Sequence, residues 1–232
     1  MLYSQSQGQG EHLVLLHGWG FSGDIFQSLI ERYQDRYCIT TIDLPGHGQS
    51  PEIDGGLSEW TEAVIEVLPE NPILLGWSLG GLLAIQVATQ IPIKSLILMA
   101  STPKFVQDDH WAYGIGADNF QQFSEELNQN PTKGIKRFVS LQTKDKSQLK
   151  ALNRSIDQNP ISLGALNQGL AILLETDLTE ELRSLKTDKR AVLGTKDTLV
   201  PSKISDWYQQ QHVQTKVLNT GHMPFLASEF EL

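Results

Sequence analysis

Six short apolar runs constrain what this chain can fold into more than any other feature. They are HLVLLHG (12–18), CITTIDL (38–44), PILLGW (72–77), SLILMAS (95–101), RAVLGTKD (190–197) and TKVLNTGH (215–222). Their apolar residues follow one another instead of alternating with polar ones. A strand covered on both faces has this pattern, whereas a half-exposed strand alternates. Helix-like stretches separate the runs, at roughly 24–34, 58–68, 79–90 and 202–211. In Leu57-Ser58-Glu59-Trp60-Thr61, Ser58 is the expected cap of the second helix. Strand and helix in alternation imply an α/β class: a mostly parallel sheet with helices on both faces.

The rhythm breaks between 103 and 178. No strand-like run occurs there, and the pattern fits helices at roughly 117–128, 131–142, 146–153 and 161–173. The expected organisation is a core built from 1–102 and 178–232, with 103–177 inserted as a helical lid over the sheet's edge.

Charge and composition narrow the function. The chain has 232 residues and a formal net charge of −9, which argues against general nucleic-acid binding. The charge is unevenly spread. Residues 131–156 carry Lys133, Lys136, Arg137, Lys144, Lys146, Lys150 and Arg154 against the single acid Asp145, a balance of +6. The remainder carries 11 basic and 26 acidic residues, a balance of −15. A one-sign patch on an acidic protein suits an acidic or polyanionic partner. No apolar run approaches the roughly 20 residues needed to cross a bilayer, so no membrane association is expected. The N-terminus lacks a basic start followed by an apolar stretch, so no signal peptide is expected. Cys38 is the single cysteine and sits in the run RYCITTID, where it reads as a core thiol and not a nucleophile. A cytoplasmic monomer is the expected state.

The motif that carries chemistry is Gly76-Trp77-Ser78-Leu79-Gly80, between an apolar run and a helix-like stretch. Strand, Gly-x-Ser-x-Gly, helix is the nucleophile elbow. A turn sharp enough to project a serine brings chain segments so close that only small residues fit at 76 and 80. Ser78 then stands where backbone N–H groups at a helix start point outward, and the N–H of Leu79 is available to an oxyanion. A serine hydroxyl needs a base, and the base needs an orienting acid. His222 in NTGHMPF is the candidate base, and Asp197 in GTKDTLVP the candidate acid. The order Ser78, Asp197, His222 is the one this elbow predicts. The second oxyanion donor is expected from LLHGWGFSG, at the N–H of Trp19. His17 and His47 read as loop-shaping residues. Asp43 is a runner-up acid that precedes the nucleophile and fits the expected order poorly. No H-E-x-x-H, Cys-x-x-Cys or Gly-x-x-x-x-Gly-Lys-Ser/Thr occurs, and no metal or other cofactor is expected.

HLVLLHGWG, DLPGHGQS, GWSLGGLLA and TGHMPF resemble the α/β-hydrolase fold. LLHGWG, LGWSLGGL, FQQF, RFVSLQT and NQGLAILLETDL together are similar to the pimeloyl-carrier-protein methyl ester esterases of biotin synthesis. The likeness runs over most of the chain, including the helical insertion. It implies that Ser78 is the nucleophile, completed by Asp197 and His222, and that Trp19 and Leu79 contact the ester carbonyl. It also implies that Phe138, Val139, Ser140, Leu141 and Gln142 line the acyl pocket. The implied partner is acyl carrier protein, bound through basic lid residues. Lys133 matches one such position, and Lys146, Lys150 and Arg154 lie near others in a lid that looks shorter. The chain stops at FLASEFEL, so its last helix is expected to be shorter than the family's. Two other readings stay open: a general short-chain carboxylesterase or thioesterase, and a catalytically silent ligand-binding protein on the same scaffold.

Overall fold

The computed structural model describes residues 1–158 and 161–232. Its strands are β1 (Ser4–Gly8), β2 (Glu11–Leu16), β3 (Tyr37–Ile42), β4 (Ile73–Trp77), β5 (Ser95–Met99), β6 (Asp188–Gly194) and β7 (Gln214–Leu218). They form one sheet in the order β1-β3-β2-β4-β5-β6-β7, parallel except for β1, which runs antiparallel to β3. The six apolar runs supply the parallel strands. Every one of these strands except β4 ends earlier than its run, because the last residues of the run, such as His17-Gly18 and Asn219–His222, turn into loops. β1 went unforeseen. Its sequence SQSQG is polar and exposed throughout, and it joins the sheet by backbone pairing with β3, with one added side-chain bond between the Ser6 and Thr40 hydroxyls at 2.8 Å.

The helices are α1 (Gln27–Tyr33), α2 (Leu57–Ile65), α3 (Leu79–Gln90), α4 (Ala117–Gln129), α5 (Pro131–Gln142), α6 (Lys146–Gln158), α7 (Leu163–Glu175), α8 (Thr179–Ser184) and α9 (Ser205–Gln210). The first and last expected core helices each split, with a 3-10 turn over Gly23–Phe26 before α1 and another over Ser202–Ile204 before α9. The cap of α2 also differs from expectation. The helix begins one residue earlier, Gly56 takes the cap position, and the Glu59 carboxylate accepts the Gly56 N–H at 2.8 Å. Ser58 is therefore already inside the helix. Isolated bridges, Lys104 with Asp177 and Val106 with Ile115, add strand-like pairing to the stretch expected to be purely helical.

β2 and β5 are buried on both sides, with Leu13–Leu16 and Leu96–Met99 at most 5% exposed. Helix α3 packs between sheet and surface with Leu82, Leu83, Ala84, Ile85 and Val87 all buried. Four helices, α4 to α7, lie between β5 and α8 in the chain. Asn130 caps α5 by accepting the Lys133 N–H at 3.0 Å, with Pro131 at the first helical position. A Cβ on Gly134 would lie 2.8 Å from the Leu127 Cα, so this glycine lets α5 cross α4 closely. The sheet order reverses between β2 and β4: β3 lies on one side of β2, and β4 with the later strands on the other. In a parallel sheet the crevice at the carboxyl ends of such strands is where ligands bind.

Candidate active site

The loops that follow β2, β4, β6 and β7 meet at this crevice. Ser78 comes directly after β4. Its φ of 54° is a left-handed conformation that costs a non-glycine residue about 1–3 kcal/mol. Neighbouring strand ends hold it there. The Ser78 N–H donates to the Met99 carbonyl at 3.0 Å, and the Ser101 hydroxyl donates to the Ser78 carbonyl at 2.7 Å. The two glycines of the motif have the steric task their spacing suggests. A Cβ on Gly76 would lie 2.3 Å from the Gly80 carbonyl oxygen, and one on Gly80 would lie 2.3 Å from that of Leu16. Leu79 opens α3, so its N–H has no carbonyl within the helix to bond.

Asp197 and His222 stand in the loops after β6 and β7, and both are buried. The His222 Nδ1–H donates to Asp197 Oδ2 at 2.7 Å. Asp197 Oδ1 accepts the N–H groups of Leu199 and Val200 at 2.8 and 3.0 Å. The carboxylate is thus fixed on both oxygens, and the imidazole is fixed as the tautomer with Nε2 free to accept a proton. That Nε2 is buried and has no hydrogen-bond partner among the described residues. In the unliganded state of such sites the serine–histidine bond is often open and closes only around substrate.

The backbone around His222 is pinned at two further points. Its N–H donates to the Gln142 carbonyl at the end of α5, at 3.0 Å. Its carbonyl accepts the Trp77 indole N–H at 2.7 Å. Trp77 is 1% exposed and packs against Phe21, Phe26 and Phe225. It therefore sits beneath the elbow and steadies the histidine loop. Neither this tie nor the Ser101 bond carries a motif. Each could have been suspected only from a polar atom lying at the edge of an apolar run.

The loop after β2 carries Trp19. A Cβ on Gly18 would lie 3.2 Å from Ser78 Cβ, so the backbone preceding Trp19 lies against the elbow. Two buried histidines brace this loop. His17 Nδ1–H donates to the Gly18 carbonyl at 2.9 Å, and its Nε2 accepts the Leu44 N–H at 2.9 Å. His47 Nδ1–H donates to the Pro45 carbonyl at 2.9 Å, and its Nε2 accepts the Gly20 N–H at 3.4 Å. Each ring reaches from its own loop to the other, and the rings stand 5.2 Å apart. Burial lowers the His17 pKa to about 4, opposed by its bond to Gly18. Burial, and then the neighbouring His17, lower that of His47 to about 3. Asp43 is occupied in the same region, accepting the Gly23 and Gln49 N–H groups at 2.7 and 2.9 Å. Its two oxygens hold loop backbone, and among the described residues no hydrogen bond joins it to His222.

A family model described as the alpha/beta hydrolase family matches residues 13–231. A pimeloyl-[acyl-carrier protein] methyl ester esterase from Pseudoalteromonas atlantica is 36% identical over 97% of this chain and 93% of its own length. A protein of the same name from Vibrio parahaemolyticus is 38% identical over 99% of this chain and 94% of its own. The chain belongs to the alpha/beta hydrolase family and groups with these esterases. Among solved structures, an esterase from Exiguobacterium antarcticum superposes with a TM-score of 0.90 at 23% identity, covering 97% of this chain and 90% of that one. An enol-lactonase from Burkholderia xenovorans gives 0.85 at 13% identity, covering 97% and 90%. At those identities the likeness speaks for the fold.

In this alpha/beta hydrolase a cavity of about 220 Å³ lies between the sheet's edge and helices α4, α5 and α7. Trp19, Phe123, Phe138, Leu141 and Leu170 give it an apolar wall, and Asn119, Arg137 and Thr198 add polar groups. The rings of Trp19 and Phe138 meet edge to face with centroids 4.7 Å apart. The Trp19 indole donates to the Leu166 carbonyl of α7 at 2.8 Å, which ties the loop after β2 to the inserted helices.

Of the five residues expected to line an acyl pocket, Phe138 and Leu141 reach this cavity. Val139, Ser140 and Gln142 do not, and the helical period explains why. Positions 138 and 141 share one face of α5. Val139 and Gln142 turn toward the interior, each 0% exposed, and Ser140 turns outward with its hydroxyl on the Arg137 carbonyl at 2.6 Å. Gln142 contributes through its backbone, as the acceptor for His222. The expected carrier-docking residues Lys133, Lys146, Lys150 and Arg154 are all exposed. Arg137 pairs with Glu126 at 2.6 Å. Cys38 is half-buried in β3. No helix among the described residues is long and apolar enough to cross a membrane.

Proposed function

We propose that this protein is a serine esterase that hydrolyses the methyl ester of a pimeloyl chain held on acyl carrier protein, a step of biotin synthesis, as a cytoplasmic monomer. The observation that carries the reading is the 2.7 Å His222–Asp197 pair, which leaves Nε2 as a buried acceptor on a loop bonded to Trp77, the residue before the strained Ser78. The two relatives above, whose names state this substrate, supply the chemistry on which such a site would act. Ser78 Oγ attacks the ester carbonyl while His222 Nε2 takes its proton. The N–H groups of Trp19 and Leu79 receive the oxyanion. Collapse expels methanol, which carries off the proton from His222 and leaves an acyl-enzyme. Water activated by the same imidazole then frees the carboxylic acid and restores Ser78. Asp197 keeps the imidazole in its working tautomer throughout.

The acyl chain suits the apolar cavity next to Trp19 and Phe138, beneath a lid formed by 103–177. Lys133, Lys146, Lys150 and Arg154 face solvent on that insertion, where an acidic carrier would be attracted and oriented. The test is methanol release from carrier-bound pimeloyl methyl ester. The wild type turns over, and Ser78→Ala keeps its fold and loses about 10⁴-fold or more in kcat. Substantial turnover by Ser78→Ala would remove the nucleophile assignment, and no turnover by the wild type would remove the substrate.

A further inference from the structure

A second cleft, of about 570 Å³, opens between the end of α5 and the loops that follow β6 and β7. Two ammonium groups line it: Lys144 from the insertion, and Lys196 from the loop that carries Asp197. One carboxylate, Asp145, joins them, and Asn219 and Thr220 add amide and hydroxyl groups. Neither lysine has an ion-pair partner among the described residues. In a chain of net charge −9, two unpaired cations gathered in one concavity mark a place for an anion from outside.

The position of the cleft says which anion. Leu141 and Thr198 border both this cleft and the apolar cavity, and the Thr198 hydroxyl closes the wall by donating to the Leu141 carbonyl at 3.3 Å. An acyl chain that fills the apolar cavity lies on the far side of that wall, which leaves this cleft outside the chain's own pocket. The cleft therefore meets the carrier's own surface. It also continues the exposed basic stripe of α6, where Lys146, Lys150 and Arg154 fall four residues apart and share a face. Lys144 extends the stripe toward the cleft, and Lys196 carries it onto the sheet's loops.

We infer that this cleft receives an acidic side chain of the carrier protein, with Lys144 and Lys196 as its two cationic walls. The inference rests on the carrier-bound substrate proposed above and extends the docking surface beyond the inserted helices. A carrier held in this way bridges α5 and the loop of Asp197.

The experiment measures affinity for the carrier protein with and without its prosthetic arm, together with steady-state kinetics on the carrier-bound ester. Lys144→Glu and Lys196→Glu lie at exposed positions, and circular dichroism checks that both variants fold. Each is expected to weaken binding of both carrier forms by about 5–10-fold at low ionic strength, mainly through KM, with the loss shrinking near about 0.5 M salt. Unchanged affinity of both variants for both forms would overturn the assignment. A loss confined to the arm-bearing carrier would also overturn it, by giving the cleft to the arm's phosphodiester. If the wild type binds neither form, the substrate reading itself has failed. Tight wild-type binding with unaffected variants removes the cleft alone.

Discussion

The buried pair His17 and His47 makes stability depend on pH in a range where few other groups titrate. Both imidazoles are neutral in the folded state, since each accepts a backbone N–H at Nε2 that a protonated ring would repel. Their folded pKa values, about 4 and about 3, lie below the ordinary 6.5 of an unfolded histidine. Below pH 6.5 the unfolded chain therefore binds protons that the folded chain refuses. Stability is complete above pH 6.5 and declines as pH falls toward the folded values. At pH 5 each histidine alone costs about 2 kcal/mol relative to pH 7, a large part of the stability of a single domain. Urea titrations at pH 7 and pH 5, read by tryptophan fluorescence, should show a lower midpoint at pH 5 with an unchanged slope. His47→Gln should be less stable at pH 7, because the Gly20 N–H loses a well-placed acceptor, and should show roughly half the pH 7 to pH 5 difference. A wild-type midpoint that does not move between these two values would refute the neutral cross-brace. So would a variant that retains the full difference.

Three further substitutions probe the parts around Ser78. Asp197→Asn leaves the loop bonds to Leu199 and Val200 largely in place but favours the wrong imidazole tautomer, and kcat should fall by about 10⁴-fold with little change in KM. Trp77→Phe keeps the packing against Phe21 and Phe225 and strands the His222 carbonyl, which should cost about 1–3 kcal/mol in urea unfolding and lower kcat more than it raises KM. Gly80→Ala places a Cβ against the carbonyl oxygens of Leu16 and His17. Helix α3 and the loop of Trp19 must then part, and about 1–3 kcal/mol of stability should go with most of the activity on any ester.

What the sequence disclosed depended on whether a residue's task shows in its own type and spacing. The parallel strands were legible because burial on both faces forces consecutive apolar residues. The elbow was legible because its steric demand selects glycine at 76 and 80. β1 was not, since an exposed edge strand paired through its backbone makes no demand for apolar side chains. The α2 cap was misplaced for a related reason. Ser58 has the right chemistry for a cap, yet Glu59 can close on the Gly56 N–H from one residue further on, and sequence alone does not choose between them. Of the five residues that the resemblance assigns to an acyl pocket, Phe138 and Leu141 line the cavity beside Trp19, because a resemblance transfers a segment whereas a helix presents only every third or fourth side chain to one cavity.

The ties that hold the histidine loop were invisible for a deeper reason. His222 is fixed by the carbonyl of Gln142, the indole of Trp77 and the carboxylate of Asp197, contributed by the insertion, by the elbow and by the loop after β6. Two of these three bonds use a backbone atom of His222, and the one to Gln142 uses backbone atoms on both sides, which any residue type supplies. That bond has a functional consequence. The last turn of α5 leaves carbonyl groups without helical partners, and the loops of Asp197 and His222 fill two of them: Thr198 on Leu141, and His222 on Gln142. The inserted helix that forms one wall of the acyl cavity is thus bonded directly to the loops bearing the base and its orienting acid. A displacement of α5 would strain both bonds, so the position of this helix and the alignment of His222 are tied together.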